Sequence, residues 1–400
     1  MRRRVKITGI GPVTPAGIGR EAFFKGINEP VSRVRALPSL TTDAGPVVGA
    51  DIPKFNLLDF APDKTPRRHS RHTQFGLAAA ILALRDAKLT SGMAARLNPV
   101  VVTGTSLMDF ERIHREISIV TQKGPRYAMA SNLYETSLVN VPGKIAELIG
   151  PGTKMFSMQS SCCSGLDAIG QAANLVAEGQ ADLAIAGGTE SPLTFHPMVE
   201  FIAAGLNPTS SETPDKTCKP FDLWRSTGVI GEGAAMLVLE PEESPRPPYA
   251  WITGYGYAND DDGLPASGIE GAIRAALANA CRRSSEVDFI SAWGPGHKII
   301  DAVETSSLRA IFNDRLPDIA VVSIKGAIGT ALAAAGAIQV ASAALSLTRG
   351  IIPPTVNWSA ADPACALNLA ATARYLQSRV ALVDSHGMSG SNAALILEQP

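Results

Sequence analysis

Cys162 stands in the run Ser160-Ser161-Cys162-Cys163-Ser164-Gly165, where a short apolar stretch, Lys154 to Met158, gives way to a helical one. Downstream, Leu166, Ile169, Ala173 and Val176 recur at helical spacing. A thiol at such a turn meets the unpaired N–H groups and positive end of the helix, which favour thiolate. The chemistry open to it is covalent, nucleophilic catalysis. The plainer alternative is a small buried thiol in a tight turn. No Cys/His spacing suggests zinc, so no metal is expected. Gly9-x-Gly11 lacks the rest of a dinucleotide fingerprint.

The elements that must position Cys162 are read from a repeat. Ile7-Thr8-Gly9-Ile10-Gly11 opens the chain, and Ile252-Thr253-Gly254-Tyr255-Gly256 opens what looks like a second half. Each is followed by a helical stretch (75–87 and 269–280) and a strand (100–104 and 289–292). The buried strand and amphipathic helix around Cys162 are echoed by Val321 to Lys325 and a small-residue helix. Both halves close on similar strands, 234–240 and 393–398. Four echoes in one order indicate duplication, with units 1–245 and 246–400 joined through the Pro-rich segment 241–248. Strands alternating with helices imply an α/β fold of mostly parallel sheets, the active site lying between the halves.

Composition narrows the function classes. The 400 residues are 45% hydrophobic and 18% charged, with net charge −1. No global field recruits nucleic acid or an anionic membrane. Five cysteines, two of them adjacent, fit a reducing, cytoplasmic setting better than a disulfide framework, and no N-terminal signal precedes Arg2-Arg3-Arg4. Gly326 to Thr348 carries no charge, but its Ala and Gly content suits a buried central helix rather than a membrane span. His69 and His72 lie among Arg67, Arg68 and Arg71. That patch either docks an acidic partner or is the solvated start of a helix, the simpler reading.

Taken together, Ile7 to Gly11, the Cys162 turn with Asp167 to Gly170, Ala181 to Glu190 and Lys219-Pro220-Phe221-Asp222 through Gly231-Glu232-Gly233 form a recognisable set. Asp301 to Glu304, Lys325 and Gly387 to Asn392 extend it. The chain resembles the β-ketoacyl-ACP synthases of the thiolase superfamily over essentially its full length. The resemblance implies a duplicated, five-layered αβαβα thiolase fold and dimerisation. It also implies acyl chains carried on the phosphopantetheine of acyl carrier protein (ACP), with no cofactor of the chain's own. In that family a cysteine, here Cys162, accepts the acyl group, and two histidines support decarboxylation of malonyl-ACP.

Both histidines are missing. Trp293, in Ser291-Ala292-Trp293-Gly294-Pro295, and Thr330, after Lys325-Gly326-Ala327-Ile328-Gly329, stand in their places. Neither is a base near neutral pH. A gating Phe is replaced by Gly228, and the C-terminal glycine loop reads Gly387-Met388-Ser389-Gly390. The resemblance makes the Cys162 and Met388 N–H groups the oxyanion hole, and places Glu304 and Lys325 in supporting charge networks. His297 and His386 align near the site as speculative replacement bases; the alternative is a loop residue and a packing substitute for Phe.

Losing one oxyanion donor commonly costs ~10²–10³ in rate. Three readings follow. The first is a chain-length-factor-like partner of a catalytic synthase, unable to decarboxylate malonyl-ACP alone; the stretch Asp260 to Ser267 also fits it, although such subunits usually lose the cysteine. The second is an acyltransferase using Cys162 with a non-malonyl acceptor. The third is a condensing synthase with relocated histidines. Homodimer and heterodimer both remain open.

Overall fold

Val5–Thr14 forms a strand, β1, buried along its whole length. The structure, a computed structural model, describes residues 2–261 and 263–400. The main sheet continues through β2 (Pro99–Gly104), β3 (Lys154–Met158), β4 (Leu183–Glu190), β5 (Gly233–Pro241), β6 (Ala250–Asn259), β7 (Phe289–Ser291), β8 (Ala320–Val322), β9 (Val380–His386) and β10 (Ser391–Glu398), with short strands besides. Their lateral order is β8-β7-β9-β10-β6-β1-β5-β4-β2-β3. Read outward from the β1–β6 junction, the two halves have the same pattern: two antiparallel pairings followed by two parallel ones. The duplication read from the sequence is therefore present in the strand order. The expected mostly parallel sheets are in fact mixed, because each half's last strand inserts antiparallel to its neighbours, β5 between β4 and β1 and β10 between β9 and β6.

The helices complete the layers. Helix α1 (Arg71–Asp86) covers β1 and β5, and α3 (Ile269–Asn279) covers β6 and β10. Helix α2 (Ser164–Ala177) packs against α5 (Ala333–Arg349) in the centre, touching strands of both halves; α4 (Lys298–Phe312) lies beside α3. This is the five-layered thiolase arrangement.

The repeated Gly-x-Gly has one physical cause in both halves. A Cβ on Gly9 or Gly11 would lie 2.3 Å from the Ala83 carbonyl oxygen or 2.0 Å from that of Ala79, both on α1. On Gly254 or Gly256 it would lie 2.2 Å from Ala276 O or 2.3 Å from Ala272 O, both on α3. The outer helices approach their strands so closely that only hydrogen fits.

Three local expectations need correction. β3 is a strand but is exposed at the sheet edge, not buried; a short apolar run does not reveal its neighbours. α2 is buried almost all round rather than amphipathic, since it packs against α5 and against strands of both halves. The uncharged stretch from Gly326 is broken: a turn of helix, Lys325–Ile328, ends at Gly329, and α5 begins only at Ala333. No helix among the described residues is long and apolar enough to cross a membrane. Asp262, within the Asp260 to Ser267 stretch, lies outside the described residues.

Candidate functional site

The turn between β3 and α2 holds Ser161 at φ 55°, a left-handed conformation that costs a non-glycine residue energy. The turn is over-determined. Ser391 Oγ donates to Ser160 O (2.6 Å), Ser160 N–H donates to Ser164 Oγ (2.9 Å), and Ser160 Oγ binds Asp167, which also receives Tyr255 Oη (2.7 Å). Cys162 is thereby presented at the N-terminus of α2, buried.

Its electrostatics differ from the expectation of a favoured thiolate. Burial pushes the thiol up to about 11, and the buried Glu190 adds to the rise. The Ser161 hydroxyl and the N–H groups of Met388 and Cys162 itself pull the other way without compensating. Desolvation outweighs the helix end. At rest Cys162 is a protonated thiol whose Sγ is addressed by the two N–H groups the resemblance nominated as an oxyanion hole.

Cys162 opens on a narrow cavity of about 40 Å³. Trp293, Thr330, His297, His386, Gly228 and Met388 line it, so the structure brings these sequence-nominated residues together. Gly387 lies against the nucleophile: a Cβ there would be 3.1 Å from Cys162 N. Phe201, Leu206, Ile230, Ile300 and Leu332 also line the cavity, and nothing in the sequence singled them out.

Trp293 is buried, and its backbone N–H donates to Glu304 Oε1 (2.8 Å) and Asp384 Oδ1 (2.7 Å). Its ring faces Lys325, whose Nζ lies 4.5 Å from the ring centroid. Lys325 does not pair with Glu304. Its Nζ donates to Gln339 Oε1 (2.6 Å) and Ala292 O (3.3 Å). Glu304 is pushed well up by burial and by the neighbouring Asp384, and its two oxygens accept from the Trp293 and Gly294 backbone N–H groups (both 2.8 Å). Burial drives Lys325 down, partly offset by both carboxyls. Thr330 is fixed by backbone bonds, its N–H donating to Val229 O (2.8 Å) and its carbonyl accepting from Gly231 N–H (2.9 Å). Its buried hydroxyl has no partner.

The two histidines are held in opposite ways. His297 caps α4: Nδ1 accepts from Ile299 N–H (3.3 Å) and Ile300 N–H (3.4 Å), which leaves the proton on Nε2. It is held below its usual range by burial and by Arg225. His386 is buried, with Nδ1 3.0 Å from Asn392 Oδ1. Asn392 Nδ2 donates to Asp260 Oδ1 (2.7 Å) and Gly390 O (3.1 Å), two acceptors that fix the amide's orientation. Nδ1 of His386 must therefore carry the proton, and Nε2 has the lone pair. Burial holds His386 below its usual range despite Asn392 and Asp260.

The residues of the basic patch sit in different settings. His72 is fully buried, Nε2 3.0 Å from Ser70 Oγ; His69 lies 3.4 Å from the buried Glu135; Arg71 grips Glu232. Arg67, Arg68 and Arg71 are exposed, as the solvated reading expects. Burial lowers His72 to about 4, below its unfolded value of 6.5. Its contribution to stability is present above pH 6.5 and is lost as pH falls towards 4. His72→Gln should make the stability curve flatter over that window by about 3 kcal/mol, read by urea unfolding at pH 7 and 4.5.

Two family models match: the β-ketoacyl synthase N-terminal domain over residues 2–244, and the C-terminal domain over residues 249–359. The chain belongs to the β-ketoacyl synthase family. Among ketosynthase relatives, a putative polyketide beta-ketoacyl synthase 1 of Streptomyces halstedii is 31% identical, with 100% of this chain and 99% of the relative covered. A 3-oxoacyl-[acyl-carrier-protein] synthase 2 of Staphylococcus aureus (strain COL) is 29% identical over 99% of this chain and 98% of its own length. Among solved structures, the ishigamide ketosynthase/chain length factor superposes with TM-score 0.92 at 27% identity, covering both chains fully. A type II polyketide acyl-carrier protein in complex with its ketosynthase gives 0.90 at 26%, again over both full chains.

Sequence reasoning missed Asp384, Gln339, Asn392 and Asp260 as partners of this ketosynthase site. Gln339 left a trace, as an amide inside an otherwise apolar helix, and Asn392 and Asp260 fall in segments noticed for other reasons. Glu190, raised to about 7 by burial, accepts from Ser106 N–H (2.9 Å) and Leu107 N–H (3.3 Å) at the back of the same region.

Proposed function

We propose that this chain is a non-condensing ketosynthase-like subunit of fatty acid or type II polyketide assembly. It handles ACP-bound acyl groups beside a condensing synthase. The observation that carries the reading is the occupation of both imidazole positions: the Trp293 ring lies against Lys325, and Thr330 presents only a hydroxyl. Neither supplies a base for malonyl decarboxylation. A second subunit has a face to join. Edge strand β3 exposes Met155 (45%) and Phe156 (48%), and Ile117, Leu133 and Tyr134 are exposed in the same half. Unpaired strand edges with apolar side chains are places where another chain adds.

A second reading is favoured by the Cys162 turn itself: the nucleophile and both N–H groups are intact, so acyl transfer through Cys162 stays chemically possible without the histidines. The test for the leading reading is CO₂ release from malonyl-ACP. The chain alone should release none above background, with release appearing only when a condensing synthase is added. Release by the chain alone would overturn it.

A further inference from the structure

The site contains an arrangement that condensation does not need. A cysteine at a helix N-terminus, a histidine sharing its cavity and an asparagine oxygen holding that histidine's far nitrogen together make a Cys–His–Asn constellation. This constellation activates cysteine acyl enzymes on unrelated folds. Here it consists of Cys162, His386 and Asn392, with Asp260 anchoring Asn392 at 2.7 Å. The anchor matters because it orients the amide, and the amide in turn decides which imidazole nitrogen is basic. Nε2 makes no hydrogen bond among the described residues. His386 lies two residues before Met388, whose N–H addresses Cys162 Sγ. Thr330 Oγ1, buried and unpartnered, is a further polar group in the same cavity lining.

We propose that Cys162, His386 and Asn392 hydrolyse short acyl thioesters, with Asn392 and Asp260 as positioning residues. The proposal rests on the acyl-accepting reading of Cys162 and adds the acceptor, water. Cys162 Sγ attacks the acyl carbonyl of acyl-ACP; the new thioester forms, the carbonyl–sulfur bond to the carrier breaks, and the thiol proton leaves with the carrier's sulfur. His386 Nε2 then takes a proton from water as its oxygen attacks the acyl-Cys162 carbonyl. The N–H groups of Cys162 and Met388 hold the oxyanion. When the bond to Sγ breaks, His386 returns the proton to sulfur and the carboxylic acid departs. The net change is acyl-ACP plus water to acid plus free carrier thiol, with no oxidant or metal. The narrow cavity, walled by Phe201, Leu206, Trp293 and Leu332, favours short acyl groups such as acetyl. The lowered affinity of His386 for a second proton keeps Nε2 available as a base near neutral pH.

Acetyl-ACP is the probe, read by acetate release and by intact mass. The wild-type chain should release acetate with little adduct. His386→Phe should leave capture intact, hold acetyl on Cys162 and lower release about 100-fold. His386→Gln, polar but without a base, should do the same, which guards against a folding defect in the first variant. Asn392→Ala should lower kcat by roughly 10–100-fold with KM unchanged, the signature of a misplaced base rather than a damaged fold. A stable adduct on the wild-type chain without acetate overturns hydrolysis while leaving acyl acceptance standing. Neither adduct nor acetate in any of these proteins overturns both.

Discussion

Alanine at position 162 abolishes covalent capture of acyl groups from acyl-ACP, and intact mass shows no adduct at any time. Cys162 is the one thiol that lines the cavity, while Cys163 behind it is bonded to Ser391 O (3.3 Å) and burial raises it still further. The exposed Cys281 lies outside the cavity lining, so peptide mapping separates its reactions from those of Cys162. The fold tolerates the change. The thiol is small and its removal leaves no charge unpaired, so the loss stays near 1 kcal/mol. The raised thiol also sets a pH signature. Because Cys162 titrates at about 11, its thiolate fraction grows tenfold per unit through the neutral range. Alkylation of Cys162 by iodoacetamide should climb from pH 7 to 10 without a plateau. A plateau near pH 7 would mean that the helix end, not burial, governs the thiol.

Lys325→Met gives the largest loss of stability, about 3–5 kcal/mol, or a fall in Tm of roughly 4–6 °C for a chain of this length. Lys325 is fully buried, and its Nζ gives donors to Gln339 Oε1 and Ala292 O while facing the Trp293 ring. Methionine fills the volume but donates nothing, so the amide oxygen loses its 2.6 Å partner. The Asp384 carboxylate loses a neighbouring positive charge. Gln339 is itself tied down through Nε2, to Ser291 O (2.9 Å), Ala292 O (3.0 Å) and Asp384 O (3.2 Å). Combining Lys325→Met with Gln339→Leu should therefore cost less than the sum of the two single changes, by about 1 kcal/mol or more. Additivity would show that the two side chains are not one network.

The Gly-x-Gly echo made the duplicated fold legible, because an outer helix that approaches to Cβ-contact distance leaves a glycine at each touching point. The Cys162 turn was legible because strand, turn and helix are adjacent in the chain. Contacts between distant segments left no such trace. Trp293 and Lys325 meet across 32 residues, and Asp260 reaches Asn392 across 132; spacing in one sequence does not encode either. His72 was read as part of a basic patch because its neighbours are arginines, yet the helix turns its ring inward and Ser70 satisfies it. The thiolate expectation failed for a related reason: a helix N-terminus is visible in sequence, whereas the burial that overcomes it is not.

The central claim is that this ketosynthase-family site has kept an acyl-accepting cysteine and lost condensation. It is tested most directly by loading the purified chain with an acyl group from acyl-ACP and following the Cys162 adduct by intact mass, with and without malonyl-ACP. The account predicts an adduct, held longest in His386→Phe, that decays at the same rate in both cases with no β-ketoacyl-ACP formed. Faster discharge with malonyl-ACP, accompanied by β-ketoacyl-ACP, would contradict it.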